Sequence, residues 1–355
     1  MSFGHICVDF LYPDTCSVSS GTFFLLVSAA SGRQTVSIFP TSLLYMEEFN
    51  LMTYEEFKTV IARQVEQMLP QGASLKLQTI CKNNGLKLDG LTITNIESNV
   101  SPTIYLNYYY EKQNLFPDFD TICRDIMLTY EHNRSAEHIN ADFFTDYNLI
   151  SSRISYRLIN YEKNKELLET VPHVRYLDLA IVFYCLLNFS ENSSATILIH
   201  ADHLKLWNIN AAELYHQACQ TAPELLPYDF RNINAVLSDT FGSSTTQPNQ
   251  DIEKETDAFC PMYILTNSQK LYGASCLLYP RLLDSIAEKL NTDLFVLPSS
   301  IHEVILLPAL NRSHCKELAD MVTDINRTEL AADEILSDLI YYYSRSEHAL
   351  SICQN

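Results

Sequence analysis

Positive charge is scarce in this chain. Its 24 lysines and arginines stand against 43 aspartates and glutamates, a formal net charge of −19 over 355 residues. Binding to a phosphate backbone depends on Lys and Arg displacing counterions, so nucleic acid and anionic membrane surfaces are not expected partners. The negative charge is spread thinly, without long runs, and describes a solvating surface rather than a docking tail. Paired cysteine spacing is missing too. The ten cysteines, at positions 7, 16, 81, 123, 185, 219, 260, 276, 315 and 353, form no CxxC or CxxH pair, which excludes a zinc framework. Cys185 in AIVFYCLLNF and Cys276 in GASCLLY lie in apolar runs, where a free thiol behaves as a small buried hydrophobe. So many unpaired thiols imply a reducing, cytoplasmic setting. There is no phosphate loop, HExxH or GxSxG. Neither a metal nor a cofactor is expected.

What is present is enough apolar sequence, 47% of the residues, to bury a sizeable core in one large domain or two. Residues 1–45 are the odd part, with Arg33 as the one Lys or Arg and Asp9 and Asp14 as the acids. No positive segment precedes TFFLLVSAASG, as a signal peptide would require, and the run falls short of the about 20 residues of a membrane helix. We read residues 1–45 as a non-native or disordered extension, with synthesis starting at Met46 or Met52.

From Thr53 the pattern becomes regular. Phe57, Val60, Ile61, Val65, Met68 and Leu69 share one helical face, and Thr53 stands three residues before Glu56 as a capping box. The helix should end before Pro70. SLKLQTICKNNGLKLDGLTI alternates apolar residues around Asn83-Asn84-Gly85, a turn that supplies positive φ cheaply, and predicts a hairpin. SPTIYLNYYY reads as a strand end or short helix, and DFDTICRDIMLTYEHNR as a helix with Ile122, Ile126 and Tyr130 on one face. ISYRLIN is a strand, followed by a short helix through Leu168. YLDLAIVFYCLLNF and ATILIH form another hairpin, AAELYHQACQ is helical, and Trp207 anchors a helix end. Residues 243–257 are the most polar stretch and the best exposed loop. A strand PMYILTN, a helix YPRLLDSIAEKL, the pair LFVLP and EVILLP, a helix CKELADMVTDI and a strand LIYYY complete the chain. The sum is an α+β fold, helices packed on antiparallel or mixed sheets built from hairpins, in portions 46–171 and 172–355.

KNNGLKLDGLTI, SPTIYLNYYY, MYILTNSQKLYGASCLLYP, LFVLPSSIHEVILLP and VTDINRTELAADEILSDLIYYYSR occur in the order that resembles an uncharacterised bacterial family, number 5688 among domains of unknown function. The resemblance runs over about residues 53–350. It implies a soluble bacterial protein and brings no activity, cofactor or site.

The chemistry-bearing candidates are few. Ser299, Ser300, His302 and Glu303 stand at the bend of LFVLPSSIHEVILLP, where they could act as nucleophile, base and orienting group of a hydrolase. A triad must converge in space, however, and neighbours on one strand face opposite ways. Short polar residues at a bend more often satisfy backbone groups. Lys82, Asn83 and Asn84, with Asp89 nearby, offer a cation, amides and a carboxylate at the first hairpin, although turn geometry alone explains the asparagines. Asn267 and Tyr272 flank the small-residue turn after PMYILTN, where a ligand could approach, and Asn107 lies among tyrosines that could line a pocket. We expect a non-catalytic interaction or accessory protein that binds another protein or a small ligand. The alternatives are a hydrolase using the Ser299-Ser300-Ile301-His302-Glu303 segment and a small-ligand sensing module.

Overall fold

A computed structural model describes residues 6–8, 52–95, 100–112, 115–116, 118–133, 141–190, 193–236, 261–298, 300–309 and 312–353. The chain divides into two compact units, one of residues 1–80 and 87–140, the other of residues 81–86 and 141–355. Each unit combines helices with a mainly antiparallel sheet or sheets, the α+β arrangement expected.

In the first unit, helix α1 (Tyr54–Met68) begins at the predicted capping box. The Thr53 amide donates to Glu56 Oε2 at 2.8 Å and the Glu56 amide to Thr53 Oγ1 at 3.4 Å, so two amides orphaned by the helix start are satisfied reciprocally. Phe57, Ile61 and Val65 form its buried face. Strands β1 (Ile6–Val8), β2 (Ala73–Cys81), β3 (Lys87–Asn95) and β4 (Val100–Tyr105) make a sheet in the order β1-β4-β3-β2, with β1 parallel to β4. The ambiguous SPTIYLNYYY resolves into both readings: β4 passes directly into helix α2 (Leu106–Glu111). Helix α3 (Phe119–Asn133) contributes Ile122, Cys123, Ile126 and Tyr130 to one core with the α1 face and with Leu91, Ile93 and Ile104 of the sheet. Each such side chain contributes about 1.5–3 kcal/mol by leaving water. Apart from β1, residues 1–45 lie outside the described residues, and so does the expectation about them.

The second unit holds two sheets. In one, the long strand β7 (Leu179–Ser190) pairs along one edge with β5 (Ile154–Asn160), from Ile154↔Cys185 to Asn160↔Leu179. Its other neighbours are β6 (His173–Tyr176) and β8 (Ser193–Leu198). Ala180 to Leu187 are all buried, which explains why YLDLAIVFYCLLNF reads as a continuous apolar run rather than an alternating one. The expected join at 171/172 falls between β5 and β7, two strands of this one sheet. Helices α4 (Ala201–Trp207) and α5 (Ala211–Leu225) follow, and Trp207 ends α4 buried, with Nε1 donating to Phe144 O at 2.8 Å. The other sheet has six strands in the order β14-β13-β11-β12-β10-β9. These are β9 (Tyr228–Asn232), β10 (Tyr263–Asn267), β11 (Asp293–Leu297), β12 (Val304–Ala309), β13 (Tyr341–Ser344) and β14 (Ala349–Ile352). LFVLP and EVILLP pair antiparallel as the predicted hairpin, with Leu297 opposite Ile305. Helices α6 (Leu282–Leu290) and α7 (Cys315–Thr328) flank the hairpin in sequence. The polar segment 243–257 lies outside the described residues.

One sequence expectation is corrected. Cys315, the first residue of α7, and Cys353, just after β14, form a disulfide with Cα atoms 5.9 Å apart, within the normal range for such a bridge. Spacing along the chain gave no hint, because 38 residues separate the two and only the docking of α7 beside the last strands joins them. Cys81, Cys123, Cys185, Cys219 and Cys276 are free.

Candidate functional site

The bend between β11 and β12 is fixed by a neighbouring irregular segment, residues 332–337. Ile301 N donates to Glu334 O at 2.9 Å, Ser337 N donates to Pro298 O at 3.0 Å, and Ser300 bridges to Ile335. His302 sits half-buried on this bend. Its Nδ1 is 3.1 Å from Lys270 O and 3.3 Å from Tyr272 N, so the ring is committed to the backbone of the loop that follows β10. The imidazole stacks on Tyr272 with centroids 5.6 Å apart and planes 17° from parallel, and the Arg157 guanidinium lies 4.7 Å from the centroid of the same ring. Burial lowers the His302 pKa, and the Arg157 charge adds to this against the opposing pull of Lys270 O, Glu303 and Asp333.

Ser300 is nearly buried, and its Oγ accepts from the backbone amide of His302 at 3.0 Å. The hydroxyl therefore serves the backbone of His302 and not its ring. Glu303 is exposed, and Ser299 lies outside the described residues.

Asn267 is fully buried and organises the loop that holds His302. Its Oδ1 accepts from Gln269 N and Leu271 N, both at 3.1 Å, and its Nδ2 donates to Leu271 O at 2.7 Å. With these bonds in place the chain turns left-handed at Lys270 (φ 53°) and Tyr272 (φ 52°). Gly273 follows because nothing larger fits: a Cβ there would collide with Thr266 Oγ1 and His302 O and lie 2.9 Å from Asn267 N. Thr266 Oγ1 donates to that same His302 carbonyl at 2.8 Å.

Asn83 and Asn84 also reach residues 332–337. Asn83 Nδ2 donates to Asp333 O at 2.7 Å, and Asn84 Nδ2 lies 2.8 Å from Ala332 O and 2.7 Å from Ile335 O. Three further asparagines, absent from the sequence reading, complete the set. Asn164 Oδ1 accepts from Asn84 N at 2.8 Å, while its Nδ2 donates to Asn84 Oδ1 at 3.0 Å. Asn160 Nδ2 donates to Leu336 O at 3.2 Å, and Asn326 Nδ2 to Ser337 O at 3.0 Å. An irregular segment outside any strand ladder must still find donors for its carbonyls, and asparagine amides supply them at residues 332, 333 and 335–337. Asp178 adds the last tie, accepting from Ser337 Oγ at 2.6 Å and Tyr341 OH at 2.7 Å. Asn160, Asn164 and Asn326 carry no motif; only their placement in the fold identifies them. Lys82 N donates to Leu86 O at 2.7 Å and closes the turn.

Asn107 belongs to the first unit. Its Oδ1 accepts from Asp89 N at 2.8 Å. Asp89 in turn is 2.8 Å from Lys58 Nζ, the two side chains being 13% and 12% exposed. Hydrogen bonds from Lys58 and Thr79 hold the Asp89 carboxyl below the usual carboxylate range.

The structure thus brings Ser300, His302, Asn267, Tyr272, Asn83 and Asn84 around two irregular segments of the second unit, each with backbone partners. Among the described residues, no group of His, Cys, Asp and Glu side chains is placed to hold a metal ion, and no helix is long and apolar enough to cross a membrane. No curated protein and no solved structure matches the chain. The model of a family of unknown function, DUF5688, matches residues 54–345, and with most of its length inside that match the chain belongs to this family.

Proposed function

We propose that the protein is a non-catalytic binding or accessory protein, in which the residues most suggestive of hydrolysis maintain the fold. The observation that carries this reading is the commitment of Ser300 Oγ to the His302 amide and of His302 Nδ1 to the Lys270–Tyr272 backbone. A nucleophile must share a hydrogen bond with its base, and the base needs an orienting partner. Ser300 and His302 do not stand in that relation, and exposed Glu303 makes no orienting bond to the ring. The acidic surface favours a partner with basic or neutral complementarity, whether another protein or a small ligand.

His302→Ala tests the reading. Loss of the Lys270 and Tyr272 contacts should cost the second unit about 1–3 kcal/mol, read by urea titration. Turnover on a panel of ester, amide and phosphate substrates should be the same for the variant and the parent protein. Turnover abolished in a folded His302→Ala variant would overturn the proposal.

A further inference from the structure

The second unit carries a cavity of about 400 Å³ that none of the sequence candidates lines, within the size range of small-molecule sites. Two cations border it: Lys163, which follows β5, and Arg327, in the last turn of α7, both exposed. Opposite in character are the acceptors. Asn326, 2% exposed, spends Nδ2 on Ser337 O and on Asp338 Oδ1 at 2.8 Å, which leaves its Oδ1 buried and without a partner. Asp338 also borders the cavity, with Oδ2 3.4 Å from Lys163 Nζ. The C-terminal end of α7, where Asn326 and Arg327 lie, adds the partial negative charge of a helix terminus. Leu330 and Ile335 supply apolar wall.

Cations, acceptors and aliphatic side chains in one lining match a ligand that carries both charges on one carbon. We propose that this cavity binds a free α-amino acid with an aliphatic side chain. The carboxylate pairs with Lys163 and Arg327, and the ammonium donates to Asp338 and to the unmet Asn326 Oδ1. The side chain lies along Leu330 and Ile335. Asn326 Oδ1 is closed to bulk water, so binding includes a side-chain rearrangement at the cavity wall that lets the ammonium reach it. A simple anion leaves the acceptors unused, and a simple amine meets two cations. The proposal deepens the binding reading above and rests on it.

Isothermal titration calorimetry on the full chain tests it, with L-leucine as the probe. 4-Methylpentanoate, which lacks the ammonium, and 3-methylbutylamine, which lacks the carboxylate, are the controls. L-Leucine is expected to bind, each control at least about tenfold more weakly, the effect of losing one charge-assisted contact. Lys163→Ala and Arg327→Ala should each weaken L-leucine by a similar factor without lowering the melting temperature, because both side chains are exposed. Absence of L-leucine binding at millimolar concentration, equal binding of 4-methylpentanoate, preference for L-glutamate, or unchanged affinity in both variants would each overturn the assignment. These outcomes are separable from the His302 test. Turnover lost in His302→Ala sinks the non-catalytic reading even if L-leucine binds, and a silent cavity leaves the His302 result standing.

Discussion

Gly273→Ala is the sharpest test of how the His302 region is built. The added methyl would meet Thr266 Oγ1, His302 O and, at 2.9 Å, Asn267 N. Two of these are backbone atoms, one on β10 and one on the bend before β12, so no rotamer change relieves the collision. Overpacking of this kind costs about 1–3 kcal/mol. Separating the two segments would also stretch the Thr266 Oγ1 bond to His302 O, worth about 0.5–1.5 kcal/mol. The expected destabilisation is therefore about 2–4 kcal/mol. In a unit of this size, each kcal/mol moves the melting temperature by roughly 2–4 °C, a total on the order of 10 °C. The measurement is convenient because the chain has one tryptophan, Trp207, which lies in the second unit with Gly273. Its fluorescence in a urea titration reports the unit in question. A Gly273→Ala protein within about 0.5 kcal/mol of the parent, the range of ordinary surface substitutions, would refute the argument from close approach.

Asn164→Ala should cost about 2–4 kcal/mol by the same assay, since it strips Asn84 N and Asn160 O of their partner inside the unit; a change under about 0.5 kcal/mol would contradict the clamping role. Reduction of Cys315–Cys353, or Cys353→Ser, should lower stability by up to about 4 kcal/mol, the loop-closure figure for a span of 38 residues; identical urea curves with and without dithiothreitol would argue against the bridge. Asp89 has a lower pKa folded than unfolded. The unfolded chain then binds more protons as pH falls below the unfolded value of about 3.9, and the stability Asp89 contributes is lost as pH drops through the folded value. Hydrogen exchange in α1 should show that acid loss in the parent and a flatter dependence in Asp89→Asn; parallel profiles would exclude the pair as its source.

Elements with local signals were legible in the sequence. The Thr53–Glu56 box placed α1, ISYRLIN coincided with β5, and the LFVLP/EVILLP pair formed its hairpin, because a cap, an apolar period and a turn are written in neighbouring residues. β14 was missed. ALSI is short and weakly alternating, and its strand character comes from pairing with the Tyr341–Ser344 strand. β5 finds its partner β7 only after a helical turn and β6, a nonlocal pairing that no window reveals. At the candidate site, Asn83 and Asn84 were visible as turn residues, and the turn conformation was indeed their local task, with Asn84 at φ 60°. Their second task, capping carbonyls at 332–335, depends on a segment some 250 residues away and could not be read from spacing. Asn160, Asn164 and Asn326 had no signal of any kind, since an asparagine at a strand end or inside a helix usually means nothing.

That separation has a consequence in time as well as in space. On a ribosome adding about 5–20 residues per second, the turn of Asn83 and Asn84 emerges roughly 10–50 s before the carbonyls of residues 332–335 exist. Until then the Asn83 and Asn84 amides lack those carbonyls, and the Asn160 amide, made later, waits for Leu336 O in the same way. The bonds that tie the turn and Asn160 to residues 332–336 therefore form only when the last strands of the second unit are being made.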